Sequence, residues 1–429
     1  MRKSILIEDL NKTDLFNWIG SLNDTIPICL LNSNDFENEF ELLIGIDSLA
    51  ELVVKDKDSF NSLKEFYESQ NDWLMGYLTY DLKNEIENIE SKNIDQLNFP
   101  PIYFFRPKYI FRLKSSKWEI LIDDSITLKE ELASIISQIK NNTSHTKKIK
   151  DSHFIKSRLS KINYIEIVDK LKSHIKKGDI YEINFCQEFY SESAKINPFD
   201  VYEKLNSISP APFSCYFKNK NHHLLCSSPE RFLKKTANTI ISQPIKGTIK
   251  RGKNEEEDQQ LKKELFENQK ERSENIMIVD LVRNDLSKSA QRKSVNVDEL
   301  FGIYTFKHVH QMISTVSSKL REDIHFTEAI KNAFPMGSMT GAPKLRAMEL
   351  IEENESTKRN LFSGSVGYID PEENFDFNVV IRSIFYNSVN DYLSFSVGSA
   401  ITINCNAENE YDECLLKARA MFESLNLNK

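Results

Sequence analysis

Three kinds of residue in the second half of this chain could do chemistry together: a lysine beside a turn, a glutamate at a proline turn, and two pairs of glutamates at helical spacing. Lys246 lies in QPIKGTIKRG, residues 243–252, where the β-branched and apolar run TIISQPIKGTI reads as a strand meeting a glycine. Its amine becomes a nucleophile once deprotonated, which burial and a neighbouring cation would favour. Glu230, in SSPERF, enters the same neighbourhood if HHLLCSSPERFLKK and TIISQPIKGTI pair as a hairpin across Thr236 to Asn238. Glu271 and Glu274, and likewise Glu410 and Glu413, are three residues apart, so each pair lies on one helix face, and Lys417 extends the second face. Like charges so placed repel by a few tenths of a kcal/mol unless neutralised. A hard divalent cation such as Mg2+ takes oxygen ligands of this kind. The same glutamates also fit solvated helix faces, and spacing alone names no substrate.

The elements that would position these groups follow from periodicity. INYIEIVDKLKSHIKKGDI has apolar residues at helical spacing and ends at Gly178, a C-cap. The strand YEINFCQEFY follows. A charged helix is expected from about Glu255 through Asp285. FTEAIKNAFP reads as a helix stopped by Pro335, MGSMTGAP as a loop, and KLRAMELIEEN as a second helix. GSVGYID, FNVVIRSIFYN and YLSFSVGSAITI read as an antiparallel meander. A final amphipathic helix spans about Ala407 to Leu425. Before residue 150, strands such as IPICLLN, WLMGYLTYDL and PIYFFRPKYIFRL alternate with helical stretches in an α plus β pattern. The polar segment Lys140 to His153 reads as a linker, dividing the chain into 1–150 and 151–429.

Composition narrows the class. With 429 residues, 40% hydrophobic and 28% charged, the chain has the make-up of a globular protein with a sizeable core. A net charge of -8 with both signs interspersed offers no basic face for nucleic acid. No stretch approaches the roughly 20 apolar residues of a membrane span, and the N-terminus has no secretory pattern. Six cysteines without a C-x-x-C pair fit reduced core thiols, so a cytoplasmic location is expected.

In order, SSPERF, PIKGTIKRG, ENIMIVDLVRND, GSMTGAPKLRAMELI, GSVGYID and EYDECLLKARA resemble the chorismate-utilising enzymes, and within them the aminodeoxychorismate synthase component I (para-aminobenzoate synthase component I) type. The likeness runs from about Phe154 to the C-terminus and more faintly through LLNSN and GYLTYDL. It implies an α+β fold, a large α/β sandwich of two antiparallel β-sheets flanked by helices, as in anthranilate synthase component I. In such a fold residues 1–150 are woven into the catalytic unit, and the linker becomes a surface loop.

Carried over by position, the resemblance implies an Mg2+ site of Glu271, Glu274, Glu410 and Glu413, with Glu274 and Glu413 as direct ligands holding the ring carboxylate of chorismate. Arg382 and Tyr368 would hold the enolpyruvyl carboxylate. Lys417, Thr248 and backbone amides near Gly398 and Thr340 would complete the pocket. Glu230 would protonate the departing ring hydroxyl. Lys246 marks the aminodeoxychorismate type, since anthranilate and isochorismate enzymes usually carry alanine there. It would attack C2 as the C4 hydroxyl leaves, and ammonia would then attack C4 and expel it. Isochorismate and salicylate synthases activate water with a lysine where this chain has Glu182, so that base is missing.

Three positions depart from the family pattern. Gln311 stands where a histidine is common, with His310 one place earlier. Ala400 replaces the second glycine of Gly-x-Gly, which should restrict backbone approach to a carboxylate. LLNSN lacks the glutamate linked to tryptophan binding, so tryptophan feedback is not expected. No cysteine lies in a glutamine amidotransferase setting, which implies a separate amidotransferase subunit (component II) supplying ammonia and a downstream aminodeoxychorismate lyase acting on the product. The rival readings are an anthranilate synthase component I, against which Lys246 argues, and a non-catalytic chorismate-binding subunit, against which the whole constellation argues.

Overall fold

Two long strands organise the fold. Leu42–Val54 and Ile102–Lys114, rich in Leu, Ile, Phe and Tyr, pair antiparallel along nearly their full length. The register slips between Ser48 and Ala50, next to Asp47 with its left-handed φ of 60°, and the ladder bends there. The computed structural model describes residues 2–55, 57–123, 128–142 and 154–427.

From the first half of that bent pair one ladder continues through Ile28–Asn32, Phe213–Asn219, His222–Ser228, Ser383–Asn387, Tyr392–Ile401 and Glu182–Ser191. From the second half another continues through Leu74–Leu78, Ser365–Ile369, Phe375–Asn378, Arg231–Thr236, Thr239–Gln243 and Val309–Lys319. Val309–Lys319 is flanked by Ile245–Lys250 and Asn296–Thr305. These ladders are antiparallel throughout, and helices flank them, so the architecture is the expected α+β one. Two apolar cores result. One gathers Trp73, Tyr77, Phe104, Phe334 and Phe377, and the other Trp18, Phe111, Tyr164, Phe189 and Phe422. Strands from the first 150 residues thus pair directly with strands from the rest. Of the polar segment 140–153, residues 143–153 lie outside the described residues.

Several elements fall where periodicity put them. The helix Lys161–Lys177 ends at Gly178, whose φ of 83° suits a residue without a side chain, and the final helix runs Ala407–Ser424. All six cysteines are buried and free.

Two elements differ from expectation. The charged helix is two helices, Glu255–Glu267 and Gln269–Ser287, because Asn268 takes an extended conformation and its side chain accepts from the Lys270 and Glu271 amides. The meander is broken in the middle: Phe375–Asn378 pairs with Arg231–Thr236, while Ser383–Asn387 pairs with His222–Ser228. Residues 379–382 cross from one ladder to the other, fixed by the Val379 amide donating to the Glu230 carbonyl. Arg382, at φ 50°, sits at that crossing.

Candidate active site

Lys246 stands at an irregularity in its strand. Ile245 faces Ile313 and Thr248 faces Gln311, so the register slips by a residue across Lys246–Gly247. Gly247 takes φ 95°, and a Cβ there would come within 3.2 Å of the Glu271 carboxylate and of Met312. The slip turns Lys246 inward, where its Nζ lies 2.7 Å from Glu182 Oε1. Glu182 is buried, only 1% exposed, and the Lys246 side chain is 10% exposed. Its other oxygen, Oε2, is buried without a hydrogen-bond partner.

Burial disfavours the charge on Lys246, but Glu182, Glu274 and Glu230 outweigh it and hold its pKa above the ordinary lysine value. The sequence led to the opposite expectation, burial together with a neighbouring cation. Here the charges around the amine are carboxylates, and a nucleophilic Lys246 has to shed its proton against them.

Glu230 is buried, and burial lifts its pKa to about 7 against the opposing pull of Ser338, Lys246, the Ile245 amide and Arg382. It is therefore a carboxyl group able to keep its proton close to neutrality, beside Lys246 and Arg382, as the expected hairpin proposed. Burial depresses the Arg382 pKa, with Glu230 opposing.

The two acidic pairs face each other across the helices Gln269–Ser287 and Ala407–Ser424. Lys270 Nζ lies 3.8 Å from Glu274 and 3.6 Å from Glu410. Lys417 donates to Glu413 at 2.7 Å and to the Gly398 carbonyl at 2.9 Å. Burial raises the pKa of Glu271 and Glu410, and raises Glu274 to about 7 despite Lys246. At Glu413 burial pushes up too, but Lys417 prevails and the pKa is lowered. Among the described residues no three His, Cys, Asp or Glu side chains stand close enough to hold a metal ion as they are placed. The donor chemistry nonetheless suits a hard cation: four carboxylates, and Glu274 Oε1 buried with no hydrogen-bond partner. Lysine ammonium groups do the neutralising in this arrangement.

A buried clasp sets the floor of the site. Arg359 pairs with Glu355 through two contacts of 2.6 and 2.8 Å, and also donates to the carbonyls of Met339 and Asn184. Glu355 accepts from the Cys186 amide. The clasp therefore ties the loop 336–343 to the strand that carries Glu182. Gly341 completes the junction, since a Cβ there would lie 2.2 Å from the Glu182 carbonyl.

A model of the family described as chorismate binding enzyme matches residues 28–423. The chain belongs to the chorismate-binding enzymes. It is 32% identical over 365 residues to aminodeoxychorismate synthase component 1 of Bacillus subtilis (strain 168), covering 83% of this chain and 77% of that protein. Identity is 40% over 264 residues to the chloroplastic aminodeoxychorismate synthase of Arabidopsis thaliana, covering 61% of this chain and 28% of that one. It is 31% over 369 residues to anthranilate synthase component 1 of Aquifex aeolicus (strain VF5), covering 82% and 74%. Anthranilate synthase component I from Streptococcus pneumoniae TIGR4 shares the fold at a TM-score of 0.78 and 23% identity, covering 94% of this chain and 93% of that one.

In this chorismate-utilising enzyme, Lys246, Glu230, Arg382, both acidic pairs and Lys417 with Gly398 are gathered as the sequence suggested. Two expected pocket residues are placed otherwise. Tyr368 lies against Phe40 and Trp73 and lines a separate cavity of about 40 Å³ with Asn32, Phe213 and Asp376; Lys246, Glu230 and Arg382 are not among that cavity's walls. The alternation of its strand, Ser365–Ile369, turns Tyr368 to that side. Thr340 is buried, and its amide and hydroxyl are both engaged within its own loop, with the carbonyls of Gly337 and Met336. Neither group is free for a substrate carboxylate. Thr248 is exposed, opposite Gln311.

Of the departures, His310 is buried and bonded to Asp258 and Thr305, a structural role, while the Gln311 side-chain oxygen is buried and unpartnered. Ala400 lies in regular strand opposite Asn184. Glu182 is the residue that sequence reasoning undervalued: reading it as a missing base hid its pairing with Lys246. Its place near the start of a strand just after the Gly178 turn was the available signal. Among the described residues no helix is long and apolar enough to cross a membrane.

Proposed function

We propose that this chorismate-utilising enzyme aminates chorismate at C4, giving 4-amino-4-deoxychorismate, through a covalent bond to Lys246. The observation that carries the reading is the buried Lys246 amine, bonded to Glu182 and adjoining Glu230, a carboxyl whose pKa is about 7. An amine so enclosed has no solvating role and is placed to attack. Lys246 attacks C2, the C4 hydroxyl departs as water with a proton from Glu230, and ammonia then attacks C4 and expels the lysine. Arg382, half-buried and within the electrostatic influence of Glu230, offers its guanidinium to a substrate carboxylate. Mg2+, held by Glu274 and Glu413 with Glu271 and Glu410 around them, would neutralise the ring carboxylate. Lys270 has to withdraw from between Glu274 and Glu410 to admit it.

Ammonia would come from a separate glutamine amidotransferase subunit, and a lyase would act on the product, as the similarity to aminodeoxychorismate synthase component 1 supports. A cytoplasmic setting fits six free thiols. The similarity to anthranilate synthases keeps formation of anthranilate as the second reading. Incubating the purified chain with chorismate, Mg2+ and ammonium and identifying products by mass separates the two. The expected product is 4-amino-4-deoxychorismate without pyruvate; anthranilate plus pyruvate would overturn the assignment.

A further inference from the structure

Lys344 is a largely buried charge that takes no part in the amination scheme. It opens the helix Lys344–Asn354, where a cation meets the positive end of the helix dipole, so its position is locally unfavourable. The side chain is 13% exposed and turns back, its Nζ donating to Asp285 Oδ2 at 2.5 Å, the Pro335 carbonyl at 2.8 Å and the Ala333 carbonyl at 3.4 Å. These three acceptors take all the donors an ammonium has. Ala333 ends the helix Phe326–Ala333, so the cation rests at the negative end of a second helix. A side chain at the close of the loop 334–343 thus grips the start of the same loop and fixes both to the helix Gln269–Ser287.

The loop so closed touches the groups around Lys246. Gly341 and Ala342 pair with Ile183 and Glu182, and the Asn184 and Tyr181 amides donate to the Thr340 and Ala342 carbonyls. The loop also carries Ser338, whose side chain bears on Glu230, and Gly337, which lies against Leu281 of the helix. Asp285 shares a face of that helix with Glu274, about three turns away. Glu182, on the strand paired with the loop, and Glu274, on the helix, both act on Lys246. The Lys344–Asp285 contact is a crosslink between those two elements.

We propose that Lys344 is a positioning residue that sets the geometry in which Lys246 attacks, by holding the loop and the strand of Glu182 at a fixed distance from the helix of Glu274. The inference rests on the covalent amination reading above. No bond or proton changes at Lys344 itself. Without its ammonium the loop loses its closure, the two acids shift relative to each other, and Lys246 no longer meets C2 in line. A misplacement of about 1 Å costs on the order of 100-fold in rate. Among the described residues the partners of Lys344 do not include Arg382 or Lys417, so chorismate binding is spared.

The test compares full-length wild type, Lys344→Met, Asp285→Asn and the double variant with chorismate, Mg2+ and ammonium chloride, below the temperature at which each begins to unfold. Lys344→Met lowers kcat by roughly 10- to 100-fold. The chorismate KM stays within about twofold, the pattern of a contact that matters only in the transition state. Without ammonium, the mass of the Lys246–substrate adduct appears correspondingly slowly. Adding Asp285→Asn to Lys344→Met costs little more, since the pair acts as a unit. Lys344→Arg, which keeps the cation, restores part of kcat, and Asp285→Asn carries the test alone if Lys344→Met does not fold. A contact that only stabilises the fold would lower the melting temperature and leave kcat of the folded variant at the wild-type value. That result, a raised chorismate KM at constant kcat, or additive losses in the double variant would each overturn the proposal. A wild-type chain that forms neither the adduct nor 4-amino-4-deoxychorismate would overturn instead the reading beneath it.

Discussion

Replacing Glu230 with glutamine should change how the protein's stability depends on pH. Burial raises the Glu230 pKa from 4.5 to about 7. Two and a half units at about 1.4 kcal/mol each correspond to about 3 kcal/mol between its protonated and ionised states. The sign follows from the direction of the shift. A carboxyl whose pKa is raised on folding contributes stability fully below its unfolded pKa and loses it as pH rises through the folded one. Wild type thus loses about 3 kcal/mol from this group between about pH 4 and pH 8, and Glu230→Gln, with no proton to lose, does not. Other raised acids, Glu274 and Asp81 among them, act in both proteins and cancel in the difference. Urea unfolding of both proteins across that range in Mg2+-free buffer measures it. The free-energy difference, variant minus wild type, should rise with pH by about 3 kcal/mol. Curves that stay parallel would refute the claim that Glu230 holds its proton to neutrality. In the amination assay the same proton should be needed: turnover of wild type falls above pH 7, and Glu230→Gln is slow throughout.

Other outcomes follow from the same site. Lys246→Ala should abolish amination and the substrate adduct while chorismate still binds, measured by mass and by ligand titration; turnover at the wild-type rate would remove the covalent route. Lys270→Met should bind Mg2+ several-fold more tightly, read by titration calorimetry, because the ammonium between Glu274 and Glu410 no longer competes; equal or weaker binding would show that Lys270 is no obstacle. Glu355→Ala should lower the unfolding free energy by about 3–5 kcal/mol, since it leaves the buried Arg359 guanidinium unpaired; a loss below about 1 kcal/mol would mean the clasp is slack.

Local signals in the sequence carried much of this. Gly178, Pro335 and the apolar face of the last helix fixed element ends, because caps and periodicity act over a few residues. Glu230 and Lys246 were legible as neighbours through the short turn joining their strands. What escaped was anything decided between distant segments. The Asn268 break looks like continuous helix by composition, and only its conformation separates the two helices. The crossing at 379–382 reads as one meander, since the alternation of FNVVIRSIFYN does not reveal that its halves join different ladders. Tyr368 was placed by motif, yet which face of a strand meets which cavity depends on tertiary packing. The charge state of Lys246 depended on Glu182, 64 residues away in sequence and 2.7 Å away in space.

The bent pair Leu42–Val54 and Ile102–Lys114 also governs the order in which the molecule can be made. Each arm of that pair is completed by strands synthesised much later: Ile28–Asn32 waits for Phe213–Asn219, and Leu74–Leu78 waits for Ser365–Ile369. While the ribosome is still working, the segment up to Lys114 presents unpaired strand edges and the aromatic faces of Phe104 and Phe111 with nothing to cover them. Closure of both sheets is postponed until nearly the whole chain has emerged. Such distant pairings favour slow folding and make the nascent chain a natural client of chaperones.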